Sequence, residues 1–488
     1  MLRVLSLRRA TGACAEHHSA DGLAELHIRT PAEEAATEIL TTGRSLVLTG
    51  SPGDGKTHLL GILAPRLPSG IRVVRDANEI TRDELIEALE CAYYGKARLA
   101  LAVNRGVLLD ACEHEVGRRP WASLLAGGVT EPFVLDGVDA MLGNLAVLDL
   151  SLRDNLLPVT IIQALRKLAG IALSEQPAHE RLAENARALL DPQVSDRVVS
   201  LLRAVADAGH RATMRDLLAF VAHMLAGGSR GRVAKYHANA FAGGQGAFFD
   251  RVRDLDPLRI PSPFLDERLY SAADIAEEWL RPDPDDRRAS EELEAFAAAK
   301  RRALFEHRDG GLLIHRPVPD ALTHLISAAD PARAVVCILN RFFDPSCCRD
   351  DRLVLWMGHR FDARPPAHLA SDRFVPITDL EVVVPQLPPH LVAAFGERAP
   401  DRLVLRLRHA PEAARLTVGR DLARALEPGG AVAGDQGALM KVGAFFDRLA
   451  AFVLPGNAVR MLRLRDSASE IVRVDVDGRR YLARQEEV

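Results

Sequence analysis

Residues 45–67 read SLVLTGSPGDGKTHLLGILAPRL. The first part, SLVLTG, is a short, continuously apolar strand. The last part, KTHLLGILAPRL, has helical spacing and stops near Pro68. Between them Gly50-Ser51-Pro52-Gly53-Asp54-Gly55-Lys56-Thr57 fits G-x-x-x-x-G-K-[ST] without a mismatch. Strand before and helix after is the context this motif requires. Its glycines let the backbone wrap a phosphate with N–H groups pointing inward. The new helix adds the positive end of its dipole. Lys56 is expected to reach the β- and γ-phosphates, and the Thr57 hydroxyl to bind Mg2+. With His58 behind them, these eight positions form the expected ATP-binding set. The chain has 62 Lys plus Arg but only six lysines, and one of the six stands here. Arginine's wide planar fork does not readily replace a compact ammonium in this task.

Working outward, PAEEAATEILT (31–41) starts with proline and early acids and reads as a helix. IRVVRDA (71–77) is a second strand, and TRDELIEALECAYYG (81–95) is a helix with a Thr cap and a closing glycine. RLALAVN (98–104), PFVLDG (132–137) and LAVLDLS (145–151) are further strands. Short strands alternating with helices predict a parallel α/β sheet of the P-loop NTPase kind over 1–156. From about Leu157 four amphipathic helices predict an all-helical lid domain, 157–228. Residues 229–310 are polar and broken, and read as a linker with charged helices. There Lys300, Arg301 and Arg302 are either a solvated helix end or a phosphate-contacting patch. Residues 311–488 mix strands and helices, predict an α+β C-terminal domain, and close on EIVRVDVDGRRYLAR, a hairpin with Asp-Gly at its turn.

Phosphate chemistry needs an acid that supports Mg2+ and residues that read the γ-phosphate. Asp136 ends FVLD, an apolar run suited to a buried strand that delivers a carboxylate to the sheet edge; Asp139 follows it, then Ala140. Asp76 ends IRVVRD, whose Arg72 and Arg75 fit an edge strand. Asn104 then ends the neighbouring strand as a polar residue able to touch the γ-phosphate. Asp76 and Asp136 both stand as the metal-supporting acid. Arg153 follows LAVLDLSL and lies on the expected nucleotide edge. Arg215 opens the last helix of the helical domain, from which a lid presents an arginine to the γ-phosphate.

The bulk numbers bound the rest. At 488 residues several domains are expected. A net charge of −4 excludes a polycation built for general nucleic-acid binding. Six scattered cysteines without a CxxC pair predict reduced thiols. Cys14 with His17 and His18 has no second half with ligand spacing to make a metal site. The N-terminus has no long apolar stretch, and no run reaches the roughly 18 apolar residues of a membrane span. A cytoplasmic location is expected.

The loop, the alternating strands and the helical domain together resemble the AAA+ and STAND branches of P-loop ATPases over about residues 30–228. FVLDGVDAML looks like the Walker B stretch of STAND and NACHT ATPases, with Ala140 where they carry glutamate. ARLALAVNRGVLLDA and RATMRDLLAFVAHMLAGG look like bacterial defence-associated ATPases, including the ATPase of DNA-phosphorothioation-dependent restriction. The resemblance implies an Mg2+-dependent ATPase motor or switch in anti-phage defence, with nuclease or helicase partners and DNA through them. The alternative is a STAND-like sensor with slow turnover that forms a homo-oligomer on a stimulus. A kinase built on the same loop lacks a catalytic-loop signature such as H-R-D-x-x-x-x-N.

Overall fold

The structure, a computed structural model, describes residues 25–130, 132, 143–174, 180–228, 233–242, 246–263, 266, 287–314, 320–344, 347, 349–356, 367–396, 400–427, 436–453, 460–464, 471–477 and 480–485. They form two compact units. The first takes the described residues up to Ile314 and the stretch Pro389–Gly396. The second takes those from Asp320 to Pro388 and those beyond Gly396.

The first unit begins with helix α1, Pro31–Thr41, set by Pro31 and the first-turn acids Glu33 and Glu34; it buries Ala32, Ala36 and Leu40. Strand β1, Ser45–Thr49, follows, buried at every position. Helix α2, Lys56–Leu63, starts directly after the glycine loop. Strand β2, Ile71–Val74, leads to helix α3, Arg82–Tyr93, whose start is fixed by a capping box between Thr81 and Glu84. Strand β3, Arg98–Ala102, precedes α4, Arg105–Glu115, and α5, Pro120–Thr130, two helices the sequence reading did not place. Strand β4, Leu145–Asp149, is buried throughout.

These strands make a four-stranded, all-parallel sheet in the order β2-β3-β1-β4. The fold of this unit is therefore α/β. In register, Leu48 stands beside Ala102 on one side and Leu148 on the other, and Thr49 beside Asp149. Continuous apolar runs are what a parallel sheet covered on both faces demands. On one face Val47, Leu101 and Val147 share a core with Leu89, Leu108 and the fully buried Trp121.

The helices α6 (Pro158–Ser174), α7 (Glu180–Leu190), α8 (Pro192–Asp207) and α9 (Met214–Ala226) follow. Every residue of α9 from Leu217 to Ala222 is buried, so this helix is the axis of the helical core. That core does not stop at residue 228. Helices α10 (Tyr236–Ala242), α11 (Ala247–Asp254) and α12 (Arg287–Glu306) add Phe241, Phe249 and Phe305 to it. The basic run of α12 is solvated only in part: Lys300 is buried, Arg301 is half-buried and Arg302 is exposed. Lys300 is buried against the Ile260 carbonyl at 2.7 Å and Asp266 at 2.8 Å, Arg301 pairs with Asp256 at 2.5 Å, and Arg302 pairs with Glu306 at 2.5 Å.

The second unit is α+β. It contains α13 (Ala321–Ser327), α14 (Pro331–Phe343), β5 (Arg352–Trp356), β6 (Ala367–Pro376) and β7 (Leu380–Val383). After α15 (Pro389–Phe395), which belongs to the first unit and packs on α1, come β8 (Arg402–Leu407), β9 (Arg415–Gly419), α16 (Arg420–Leu426) and α17 (Gln436–Val453). Strands β10 (Arg460–Leu464), β11 (Ile471–Asp477) and β12 (Arg480–Gln485) close the chain. The sheets are antiparallel, ordered β12-β11-β10-β6-β5 and β7-β8-β9; β11 and β12 pair from Val472 with Gln485 to Asp477 with Arg480, so Asp477 belongs to the strand and is not a central turn residue as the Asp-Gly reading expects. Phe343 stacks on Trp356 at 5.3 Å in its core. Among the described residues no helix is long and apolar enough to cross a membrane, and the described cysteines Cys91, Cys112, Cys337 and Cys347 are free thiols. Cys14, His17, His18 and Cys348 lie outside the described residues.

A buried histidine is expected to make the stability of the first unit depend on pH. His237 on α10 is 4 % exposed, and neither ring nitrogen has a hydrogen-bond partner among the described residues. Burial pulls its pKa down to about 4 from 6.5. The unfolded chain therefore binds more protons between those values. Stability is expected to be complete above the upper value and to fall with pH below it, by up to about 1.4 kcal/mol per pH unit for this group. Denaturant titrations across that window should show the slope, to which the equally depressed His58 adds. A His237→Gln variant should flatten it; an unaltered slope would mean that His237 titrates alike in the folded and unfolded chain.

Candidate functional site at the glycine loop

Because all four strands run parallel, their C-terminal ends share one edge. That edge collects the loop after β1, Asp76 after β2, Asn104 after β3 and Asp149 at the end of β4. The connection from β1 runs to β2, past β3, and that from β3 runs to β4, past β1, so the chain leaves these two neighbouring strands in opposite directions. Crevices of open α/β sheets form at such switch points.

The loop is closely packed. A Cβ on Gly50, at φ 140°, would meet Asp54 Oδ2 at 2.8 Å and the Ser151 amide at 3.1 Å. One on Gly53, at φ 96°, would meet Arg215 Cβ and Thr213 Oγ1 at 3.1 Å each. Only glycine fits either position. Lys56, 7 % exposed, folds back to donate to the carbonyls of Gly50 at 3.2 Å and Ser51 at 2.9 Å. Burial lowers its pKa. Asp54, Asp149 and Asp76 push the other way, in that order, and Arg215 reinforces the burial effect. The carboxylates of β2 and β4 thus act on the same ammonium. Among the described residues none of them lies within ion-pair distance of Nζ.

Asp149 is a buried acid at this edge that sequence reasoning did not single out. It is 3 % exposed; Oδ1 accepts from the Ser151 amide at 2.8 Å, and Oδ2 has no hydrogen-bond partner among the described residues. Its nearest cation is Arg105, at 3.9 Å. Thr49 Oγ1, opposite it in register, and Arg215 Nε are also buried without a hydrogen-bond partner among the described residues. Buried polar atoms are nearly always partnered, and three of the unpartnered ones lie round this loop. LAVLD carries the same signal as FVLD, an apolar run ending in aspartate, and could have been read the same way.

Asp76 is half-buried and caps a single turn by accepting from the Asn78 amide at 3.0 Å. Asn104 begins α4 without a side-chain capping bond, while the next amide, Arg105, donates to Gly50 O at 3.2 Å. Arg153 is buried, donating to Asp54 O at 2.5 Å and to Asn155 at 2.7 Å; burial draws its pKa down to about 10. Arg215 is fixed by a capping box between Thr213 and Asp216, and its amide donates to Gly53 O at 3.1 Å. A second missed residue, Arg211, pairs with the fully buried carboxylate of Asp54. Its partner lies 157 residues away in sequence, so no local pattern announces it. Asp136, Asp139 and Ala140 lie outside the described residues.

Thr57 is half-buried in the first turn of α2, and Pro52 is exposed at the loop. His58 turns away to share a hydrogen bond with His27 at 3.1 Å, and His27 reaches Glu33 at 2.8 Å. Burial, then His27 and Arg153, lower the His58 pKa to about 4, so it is neutral. On that side a cavity of about 880 Å³ opens, lined by Arg29, Thr30, Glu33, Arg153, Val159 and Phe395 among others. No cluster of three or more His, Cys, Asp or Glu able to hold a metal exists among the described residues. Mg2+ does not need one, since one or two carboxylates with substrate phosphates suffice. Compared with protein-family models, with curated proteins and with solved structures, the chain gives no match.

Proposed function

We propose that this chain binds ATP with Mg2+ and hydrolyses it, using Gly50–Thr57 as a P-loop and the helices from Pro158 onward as a lid. The observation that carries the reading is the setting of Lys56. Its buried ammonium rests on two neutral loop carbonyls, with no carboxylate at ion-pair distance among the described residues. A buried cation held only by dipoles gains strongly from an anion beside it.

In this reading the loop amides and Lys56 bind the terminal phosphates. The Thr57 hydroxyl would hold Mg2+ together with Asp149 or Asp76, whose oxygens suit a hard cation. The orphan Asp149 Oδ2 and Thr49 Oγ1 fit that demand. Bound Mg2+ would supply neutralisation of charge on the phosphate oxygens. Asn104 stands at the neighbouring strand end to orient the γ-phosphate. Arg215, anchored to Gly53, brings a cation from the helices to the same side. The cavity beside Arg153 has the volume of a small-ligand pocket and would take the base and ribose.

The test is calorimetry with ATP and Mg2+. A dissociation constant in the range of about 1 μM to 1 mM is expected, with phosphate release above background. Absence of heat and of thermal stabilisation with ATP, ADP and GTP alike would sink the reading. The turnover rate, once measured, separates a motor from a slow switch.

A further inference from the structure

Asp54 occupies a variable position of the loop motif, where the phosphate chemistry asks for no acid. Yet it is 0 % exposed and fully engaged. Oδ2 accepts from the Ser51 amide at 2.7 Å, and Oδ1 pairs with Arg211, whose other nitrogen lies 3.4 Å from Ser51 Oγ. Lys56 feels Asp54 before any other acid, and Arg153 holds the Asp54 carbonyl. One carboxylate thus sits among three cations contributed by the loop, by the segment after β4 and by the turn before α9. We propose that Asp54 is a phosphate stand-in built into the loop: it competes with bound triphosphate for Arg211 and the Ser51 amide, and Arg211 passes from Asp54 to phosphate on binding. The proposal rests on the ATP-binding reading above.

The physics favours exchange over sharing. A triphosphate carries several negative charges where Asp54 carries one, so Arg211 and Lys56 gain by turning to it. Asp54 cannot then stay, because a buried carboxylate robbed of its partner is strongly destabilised, more so beside phosphate. It lies between Gly53 at φ 96° and Gly55 at φ 89°. Those two glycines give the backbone freedom to swing the carboxylate outward. Affinity is therefore set by a difference between two anions, and the native residue keeps it below what the loop can reach.

Binding of ATP and AMP to the full chain and its variants by calorimetry, with thermal unfolding as fold control, tests this. Asp54→Asn and Asp54→Ala are expected to bind ATP about tenfold tighter, the size of one net charge-assisted hydrogen bond. Should the alanine variant unfold, the asparagine variant, which keeps an acceptor for the Ser51 amide, carries the test. Arg211→Gln is expected to weaken ATP about tenfold and leave AMP, which has no β- or γ-phosphate, unchanged. Folded Asp54 variants that bind ATP more weakly would make Asp54 a brace of the loop and overturn the proposal. Tighter ATP binding by Arg211→Gln would overturn it too, since Arg211 would then serve Asp54 alone. If neither the native chain nor Asp54→Asn binds any nucleotide, the ATP-binding reading itself fails, and the proposal with it.

Discussion

Replacing Lys56 with alanine is expected to lower ATP affinity at least a hundredfold, about 3 kcal/mol, while leaving the protein folded. Two effects have to be weighed. The ammonium donates to Gly50 and Ser51 carbonyls and so helps to close the loop, worth about 1 kcal/mol for each such bond. Against this, burial is the largest influence on its pKa and acts against the charged form, so alanine removes a desolvation penalty. The terms oppose, and the unfolding midpoint should move by only a few degrees. Affinity has no such compensation. Lys56 is the loop's own cation; Arg153 is held by the Asp54 carbonyl and Asn155, and Arg211, passing from Asp54 to phosphate, would add to Lys56 without replacing it. Arginine at position 56 should not rescue binding, since a loop this closely packed has no room for a planar fork. Unchanged ATP affinity in a folded Lys56→Ala protein would remove the basis of the functional reading.

What could be read from the sequence follows the range of the interactions concerned. The loop, β1 and α2 are legible because strand, turn and helix start are each fixed within a few residues. The positions of Asp76 and Asn104 at the sheet edge are legible because a polar residue that follows a parallel strand comes to its C-terminal end. Helix α5 was missed because Gly127 and Gly128 weaken its local signal; its place is held by the burial of Trp121, Leu125 and Val129. Residues 229–310 read as a linker from their broken, polar composition, yet the described part is largely helical. It joins the helical core because its charges find partners at a distance, Lys300 with Asp266 and Arg301 with Asp256. Arg211 stayed hidden for the same reason. Charge patterning reports neighbours on one helix, and here the partner comes from another element.

Asp149→Asn is expected to depress Mg2+-dependent ATP hydrolysis by about a hundredfold or more, a typical loss when one group that stabilises transition-state charge is removed. The stability of the fold should hold or rise. The reasoning lies in how poorly this carboxylate is served by the fold. It is 3 % exposed, one oxygen has no hydrogen bond among the described residues, and its cation is 3.9 Å away. A buried acid with so little compensation destabilises the folded state. The neutral amide relieves that while its oxygen can still accept from Ser151. A residue kept at the expense of stability, next to the loop, is the pattern of a functional group rather than a structural one. Asp76→Asn makes the contrast. Asp76 is half-exposed, just after β2, which β3 separates from β1, and its charge reaches Lys56 less than that of Asp149 does. Its variant is expected to lose less activity and to recover at high Mg2+, as befits an acid that acts on the metal through water. Hydrolysis measured against Mg2+ concentration, with the unfolding midpoint of each variant, separates the two. An Asp149→Asn enzyme that is fully active, or one that is inactive only because it has unfolded, would return Asp149 to the role of a turn cap and leave Asp76 to support the metal.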